Sequence, residues 1–371
     1  MFIARGWNQL SLFRRPVEKV FSRAGVNING TQPWDIQVLD KRFYRQVLTK
    51  GSLGLGESYM DQYWTTENLE ELFYRLVSSG LEQTSRRIPS QFFSRLSNRS
   101  FNRQTHTKSK SNAEHHYNLG NDLFFEFLGG YKNYSCGYYK DAETLEDAQL
   151  AKMHRLCQVL DLQGGDRLLD VGGGWGEFAK FAASHYDCHV TSINIADEQI
   201  KHARNHCAGA NVEIVKSDYR DISGRYDKIA VVAMFTHVGH KNYRQFMQTM
   251  SGLLEPGGKM VMETVGGIEC KTSCEPWTDK YIFPGGLIPT LKQIDQAIDG
   301  LFARESVEEF GEDYVLTLRQ WHHNFMQAWP KLSAKYSESM RLMFEYFFLS
   351  VAGDFRAKDL LHYHIEFSKA D

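Results

Sequence analysis

The run LLDVGGGWGEF carries Asp170, Gly172, Gly174 and Gly176. A strand is expected to end at Asp170 and a helix to begin near Gly176. Glycines between them permit a sharp turn and let a ligand touch the backbone. A turn of this kind does not choose its ligand, because nicotinamide enzymes use a related one. Two features do choose. The second strand ends in Ser192-Ile193-Asn194, with no acid there to hold a ribose diol. Asp218, followed by Tyr219, lies just past the third strand in SDYRD, where a carboxylate can reach an adenine amino group. After the fourth strand, the loop MFTHVG would face a reactive methyl. These residues point to S-adenosylmethionine rather than NAD or an unliganded turn.

The elements that must hold this turn alternate as strand and helix from residue 113 onward, as in a doubly wound α/β domain. DRLLDV, CHVTSINI, VEIVKSDY, DKIAVVAMF and GKMVMETV read as five strands, and DEQIKHARNHC as a helix. From about Leu291 the chain reads as helical and aromatic-rich, and the run Met340 to Phe348 reads mainly as core. Residues 1–82 form a separate first block. In it Ile36 and Val38 alternate as in a short strand, and Gly51, Gly54 and Gly56 punctuate the chain. Leu69, Leu72, Phe73 and Leu76 then fall at helical spacing, with Thr66 as the expected cap.

Residues 83–112 carry Arg86, Arg87, Arg95, Arg99, Arg103, Lys108 and Lys110, with Phe92, Phe93 and Phe101 among them. Both a solvated linker and an arm drawn to an anionic membrane surface fit that pattern. The chain as a whole has a formal net charge of −2, so it is not a nucleic-acid magnet. No apolar stretch of about 20 residues marks a membrane span, and the start of the chain does not read as a signal peptide. The six cysteines are scattered, which fits a reducing cytoplasm. Cys270 and Cys274 lack a second ligand pair, so no metal site is expected.

Several stretches in order resemble bacterial cyclopropane-fatty-acyl-phospholipid synthases over nearly the whole chain. They are SRAGVNING, GSLGLGESYMD, HYNLGNDLF, YSCGYYKDAETLEDAQ, LLDVGGGWG, SDYRDI, HVGHKNY, WTDKYIFPGG and AGDFRAKD. The resemblance implies a Rossmann-like class I methyltransferase domain (α/β, with a mixed seven-stranded sheet) over residues 113–371. Before it come a small N-terminal α+β or helical domain (1–82) that associates with membrane and substrate, and the basic linker 83–112. It also implies that Tyr134 and Ser135 touch the cofactor, that Gly172 to Gly176 form its turn, and that Asn194, Ile195 and Gln199 surround the ribose. The implied partners are unsaturated phospholipid acyl chains at the cytoplasmic leaflet, and the implied assembly is a homodimer.

The reaction implied is attack of an acyl-chain alkene on the sulfonium methyl, followed by proton removal and ring closure. In the family a bound bicarbonate is thought to remove that proton. Its pocket is built by a cysteine, a glutamate, a histidine, an isoleucine and a tyrosine. Cys136 and Tyr314 match, and Val265 replaces the isoleucine. Thr236 stands where the glutamate is expected, and Glu263 where the histidine is expected, at the end of the fifth strand and facing the pocket. Three readings follow. Glu263 is a built-in base in place of bicarbonate; or bicarbonate still binds and Glu263 helps hold it; or the site is degenerate or has moved to methyl transfer, on an alkene or another biosynthetic substrate, without ring closure. The first is favoured, because Thr236 removes a second carboxylate that would repel Glu263.

Overall fold

The computed structural model describes residues 4–80, 104, 120–271 and 273–370. The basic stretch 83–112, apart from Gln104, and the HYNLG segment up to residue 119 lie outside them.

The first block contains α1 (Ala4–Ser22), β1 (Gln37–Val38), α2 (Arg42–Lys50), α3 (Ser52–Met60), β2 (Trp64–Thr65) and α4 (Leu69–Ser78). The short strand expected at Ile36 to Val38 is present, paired antiparallel with β2. Two expectations are corrected. Gly51, at φ 63°, breaks the chain between α2 and α3 as expected, but Gly54 and Gly56 lie inside the helix α3. A Cβ on Gly54 would lie 2.1 Å from the Gln46 carbonyl oxygen, and one on Gly56 would lie 2.3 Å from the Trp277 ring. These glycines serve close packing rather than turning. The cap of α4 is Asn68, whose side chain accepts from the Glu71 N–H at 3.0 Å. Thr66 instead donates its hydroxyl to the Pro33 carbonyl.

The rest of the chain runs α5 (Asn121–Phe127), α6 (Leu145–Val159), β3 (Arg167–Val171), α7 (Glu177–Tyr186), β4 (His189–Asn194), α8 (Asp197–His206), β5 (Val212–Lys216) and β6 (Tyr226–Val232). A 3₁₀ turn (Phe235–His237) leads to α9 (Tyr243–Leu253), β7 (Leu254–Gly267), α10 (Pro276–Tyr281), α11 (Leu291–Ile298) and β8 (Phe302–Glu309). Then come α12 (Gly311–Leu332), α13 (Glu338–Arg356) and β9 (Leu360–Lys369). The seven strands β3 to β9 form one mixed sheet in the order β5-β4-β3-β6-β7-β9-β8. β3 to β7 pair in parallel, and β9 runs antiparallel to both β7 and β8.

Strand alternation sorts residues between the two faces of the sheet. Leu168, Val190, Ala230 and Val261 pack under α6 and α7, with Leu156, Phe178 and Ala182. Ile229, Val231, Met260 and Met262 pack against α9 and α11, with Phe246, Met250 and Ile294. By the same alternation Glu263 shares the α6 face with Val261. The expectation of a wholly helical end to the chain is corrected by β8 and β9. β8 is the sheet's edge and presents Arg304, Glu305, Glu308 and Glu309, charges that hide a strand from hydropathy while protecting the edge from pairing.

One apolar core joins the first block to α5, α12 and α13, and the run Met343 to Phe348 lies in it as expected. At that junction the Glu70 carboxylate accepts from Arg319 at 2.7 and 2.8 Å and from Arg356 at 2.9 Å. Among the described residues no helix is long and apolar enough to cross a membrane.

Candidate active site

The expected cofactor residues converge. Tyr134, Ser135, Asp170, Gly172, Gly174, Asn194, Ile195, Gln199, Asp218 and Tyr219 line one cavity at the carboxyl ends of β3, β4 and β6. That is where open α/β sheets bind ligands. Gly176 is outside its wall and is the left-handed residue that starts α7, at φ 91°.

The turn itself is shaped by exclusion. Gly172 has φ 86°, and a Cβ on Gly173 would meet the Ser192 hydroxyl at 1.9 Å and the Asp170 carboxylate at 2.4 Å. Asp170 is buried with one neutral partner, the Ser192 hydroxyl, which donates to it at 2.8 Å. Burial therefore wins, and pushes the Asp170 carboxyl up to about 6 against the Ser192 bond. Asn194 fixes the next turn: its side-chain oxygen accepts from the Ile195 and Ala196 N–H groups, and its amide donates to the Gly174 carbonyl and to Gln199 Oε1. Asp218 is held by Arg220 through both carboxylate oxygens. The Tyr219 hydroxyl is buried and has no partner among the described residues.

This donor set fits an S-adenosyl nucleoside. A backbone turn that only glycine can form lies beside polar groups suited to ribose and adenine, and the buried Tyr219 hydroxyl is left for a ligand to satisfy. Residues that sequence reasoning left out of the site also line the cavity, among them Lys132, Trp175, His237 and Phe283. Burial pushes the His237 imidazole down to about 4, so it is neutral there. Trp175 both lines the cavity and packs on Phe124, at 5.5 Å between ring centroids. Its indole N–H also donates to Asn121.

The expected catalytic residues lie elsewhere. Glu263, Cys136, Tyr314, Thr236 and Val265 are not in the cavity wall. Glu263 pairs with Val232, the last residue of β6, and sits within β7 rather than at its end. Its side chain is fully buried. The position is interior because β7 lies between β6 and β9 in the sheet, with Glu263 paired to Val232 on one side and His364 on the other. One carboxylate oxygen meets His362 Nε2 at 3.2 Å and the other meets His364 Nε2 at 3.3 Å. Lys152, on α6, is also buried, and its ammonium donates to the Ser135 hydroxyl. Ser135 lines the cofactor cavity, so a single residue separates that cavity from the ammonium. Burial alone would push the Glu263 carboxyl up. The Lys152 charge and the two imidazole hydrogen bonds more than reverse this and hold it well below the usual carboxylate range.

Cys136 is near enough to feel the Glu263 charge, and burial first and that charge second push its thiol well above its ordinary value. It is a neutral lining group, not a thiolate nucleophile. Tyr314 reaches the same compartment through His362, with ring centroids 5.0 Å apart. Val265 is partly buried against the apolar core. Thr236 lies in the 3₁₀ turn, where its carbonyl accepts from Leu287 N–H at 2.8 Å. Lys152, His362 and His364 were not singled out from sequence. The available signal was HYH, which places two histidines two apart and hence on one face of a strand.

Residues 104–365 match the family described as mycolic acid cyclopropane synthetase. The chain is 41% identical over 96% of its length to the cyclopropane-fatty-acyl-phospholipid synthase of Escherichia coli K12, covering 93% of that protein. It is 30% identical over 76% of its length to a tuberculostearic acid methyltransferase of Mycobacterium tuberculosis, covering 70% of it. The mycolic acid cyclopropane synthase CmaA1, solved with SAH and CTAB, superposes with a TM-score of 0.67 at 26% identity, over 70% of this chain and 98% of that one. The chain belongs to the cyclopropane synthetase family and is an S-adenosylmethionine-dependent methyltransferase with the class I fold.

Proposed function

We propose that this enzyme adds a methylene to the double bond of unsaturated phospholipid acyl chains, and that Glu263 accepts the proton that bicarbonate accepts in the family. The acyl substrate rests on the relationship to the Escherichia coli synthase, which extends through the first block as well as the catalytic domain. The observation that carries the second part is the fully buried Glu263 carboxylate, met by a histidine Nε2 at each oxygen and set beside Cys136 and Lys152.

Bound in the cavity, S-adenosylmethionine supplies an electrophilic methyl on a sulfonium. The alkene π pair forms the new carbon–carbon bond, while the pair of the broken carbon–sulfur bond stays on sulfur. A cation is left on the acyl chain. The C–H pair of the transferred methyl then closes the ring, and its proton passes to a Glu263 oxygen. Protons beside a carbocation are very acidic, so the acceptor need not be strongly basic. It must be ionised and in place. Cys136, Tyr314, Val265 and Thr236 make up the rest of this proton-acceptor site in the proposal. Ten of the eleven cofactor residues named from sequence line the cavity and bind the donor, and Gly176 starts the helix behind the turn.

The first block and the basic stretch 83–112 bring the catalytic domain to the inner leaflet in this reading. The homodimer implied by the resemblance belongs to it too. A second reading, methylation without ring closure, is favoured by one finding: a similar protein is a tuberculostearic acid methyltransferase by name. Product analysis separates the two. Vesicles of monounsaturated phospholipid incubated with enzyme and S-adenosylmethionine are expected to yield cyclopropane acyl chains. Methyl-branched or methylene-branched chains without a ring would overturn the first reading in favour of the second.

A further inference from the structure

We propose that His362 and His364 are positioning residues. They hold the two oxygens of Glu263 so that the carboxylate remains an anion in one fixed orientation inside the protein. The inference rests on the reading of Glu263 as proton acceptor and supplies what that reading needs.

The geometry comes from strand register. His364 is the direct antiparallel partner of Glu263, and His362 is the partner of Val265, two residues along the same face. Each imidazole therefore approaches a different oxygen, at 3.2 and 3.3 Å. The Nδ1 atoms of both histidines are buried and have no hydrogen-bond partner among the described residues. A buried N–H without an acceptor is costly, so each proton belongs on Nε2, where the carboxylate accepts it. Aromatic neighbours limit rotation of the rings. His362 meets Phe310 edge-on at 4.7 Å, and His364 meets the same ring at 4.5 Å.

Other groups act on this compartment from every side. Lys152 reaches it from α6, and Cys136 from the segment before α6. Asp313 on α12 acts on His362. Glu308 on β8 is the direct cross-strand partner of His364 and is influenced by it. Lys152 is the one ammonium among them, and burial weakens its charge. Lys152 is the largest influence opposing the burial of Glu263, and the two N–H donors add to it at the carboxylate oxygens themselves, so that without them the carboxylate is expected to take up a proton more readily.

Infrared spectra of the purified full-length enzyme, read as wild type minus Glu263→Gln, test this directly. Wild type is expected to show no protonated-carboxyl band from Glu263 down to about pH 5, below which ordinary carboxyls begin to protonate. His364→Leu and His362→Leu are expected to show that band at pH 6. His364→Gln, which keeps an amide N–H, is expected to remove it again. In ring formation, His364→Leu is expected to acquire an acid limb near pH 7, so that the rate at pH 6 is about tenfold below that at pH 8. A purely structural role would lower the rate equally at every pH.

A protonated Glu263 in wild type at pH 6 overturns the proposal even if the leucine variants fail to fold. So does a leucine variant that folds and shows neither the band nor the shifted limb. The reading of Glu263 fails separately, if Glu263→Gln still forms rings while the infrared result stands.

Discussion

Two buried carboxylates in this enzyme are shifted in opposite directions. Asp170, in the cofactor turn, has one neutral hydroxyl partner, so burial pushes it up to about 6. Glu263, deeper in the sheet, has an ammonium and two imidazoles acting on it, and they overcome burial. The difference shows that partners rather than depth decide the charge of an interior acid. It also separates two kinds of site. The cofactor cavity is built around a backbone turn, where Gly172 has a left-handed φ and Gly173 has no room for a Cβ. The compartment around Glu263 is built of side chains drawn from β7, β9 and α6.

The strongest test of the side-chain compartment is Glu263→Gln. Ring formation is expected to fall by about 10³, within the range for loss of a positioned base, while S-adenosylmethionine affinity by calorimetry stays within about threefold. If both fell together, the compartment would be part of the cofactor site and the contrast would collapse. The reverse separation is expected in the backbone site. Gly173→Ala drives a Cβ to 1.9 Å from the Ser192 hydroxyl. At roughly 1–3 kcal/mol for overpacking, it should weaken cofactor binding by about 5- to 150-fold in the same assay.

The opposite shifts also predict opposite pH dependences. Asp170 binds its proton more tightly when folded, so its contribution to stability is lost as pH rises from about 4 to about 6. With a raised value near 6, that loss is about 3 kcal/mol. Asp170→Asn should remove it, read as urea unfolding free energies at pH 4 and 7. Glu263 has the other sign: its contribution is present above the ordinary carboxylate range and is lost only as pH falls through its lowered value. The smallest effect is expected from Cys136→Ser, because the thiol is buried and neutral. Ring formation within about threefold of wild type fits a lining role. Loss of all activity in a folded Cys136→Ser protein would make the thiol a participant.

Much of the cofactor site was legible because it is local. Asp170 to Gly176 is one strand-turn-helix, and Asn194 and Asp218 follow strands that alternate clearly. The mixed sheet was legible through resemblance, but its last two strands were not. β8 hides behind edge charges, and β9 was absorbed into a stretch read as helical. That error concealed His362 and His364, since only strand spacing puts them on one face. Lys152 was hidden for a different reason: an isolated lysine on a helix ordinarily faces water, and only the packing of α6 on the sheet turns this one inward. The change to Glu263 was visible in the chain. The partners that keep it ionised come from residues far away in sequence, joined by register.

The central claim is that Glu263 has replaced the diffusing ion. Its most direct test is cyclopropane formation on monounsaturated phospholipid vesicles in buffer stripped of carbon dioxide, repeated with bicarbonate restored. The account predicts the same rate in both. Ring formation that appears only when bicarbonate returns would contradict it, and would make Glu263 and its two histidines a holder of the ion instead of its substitute.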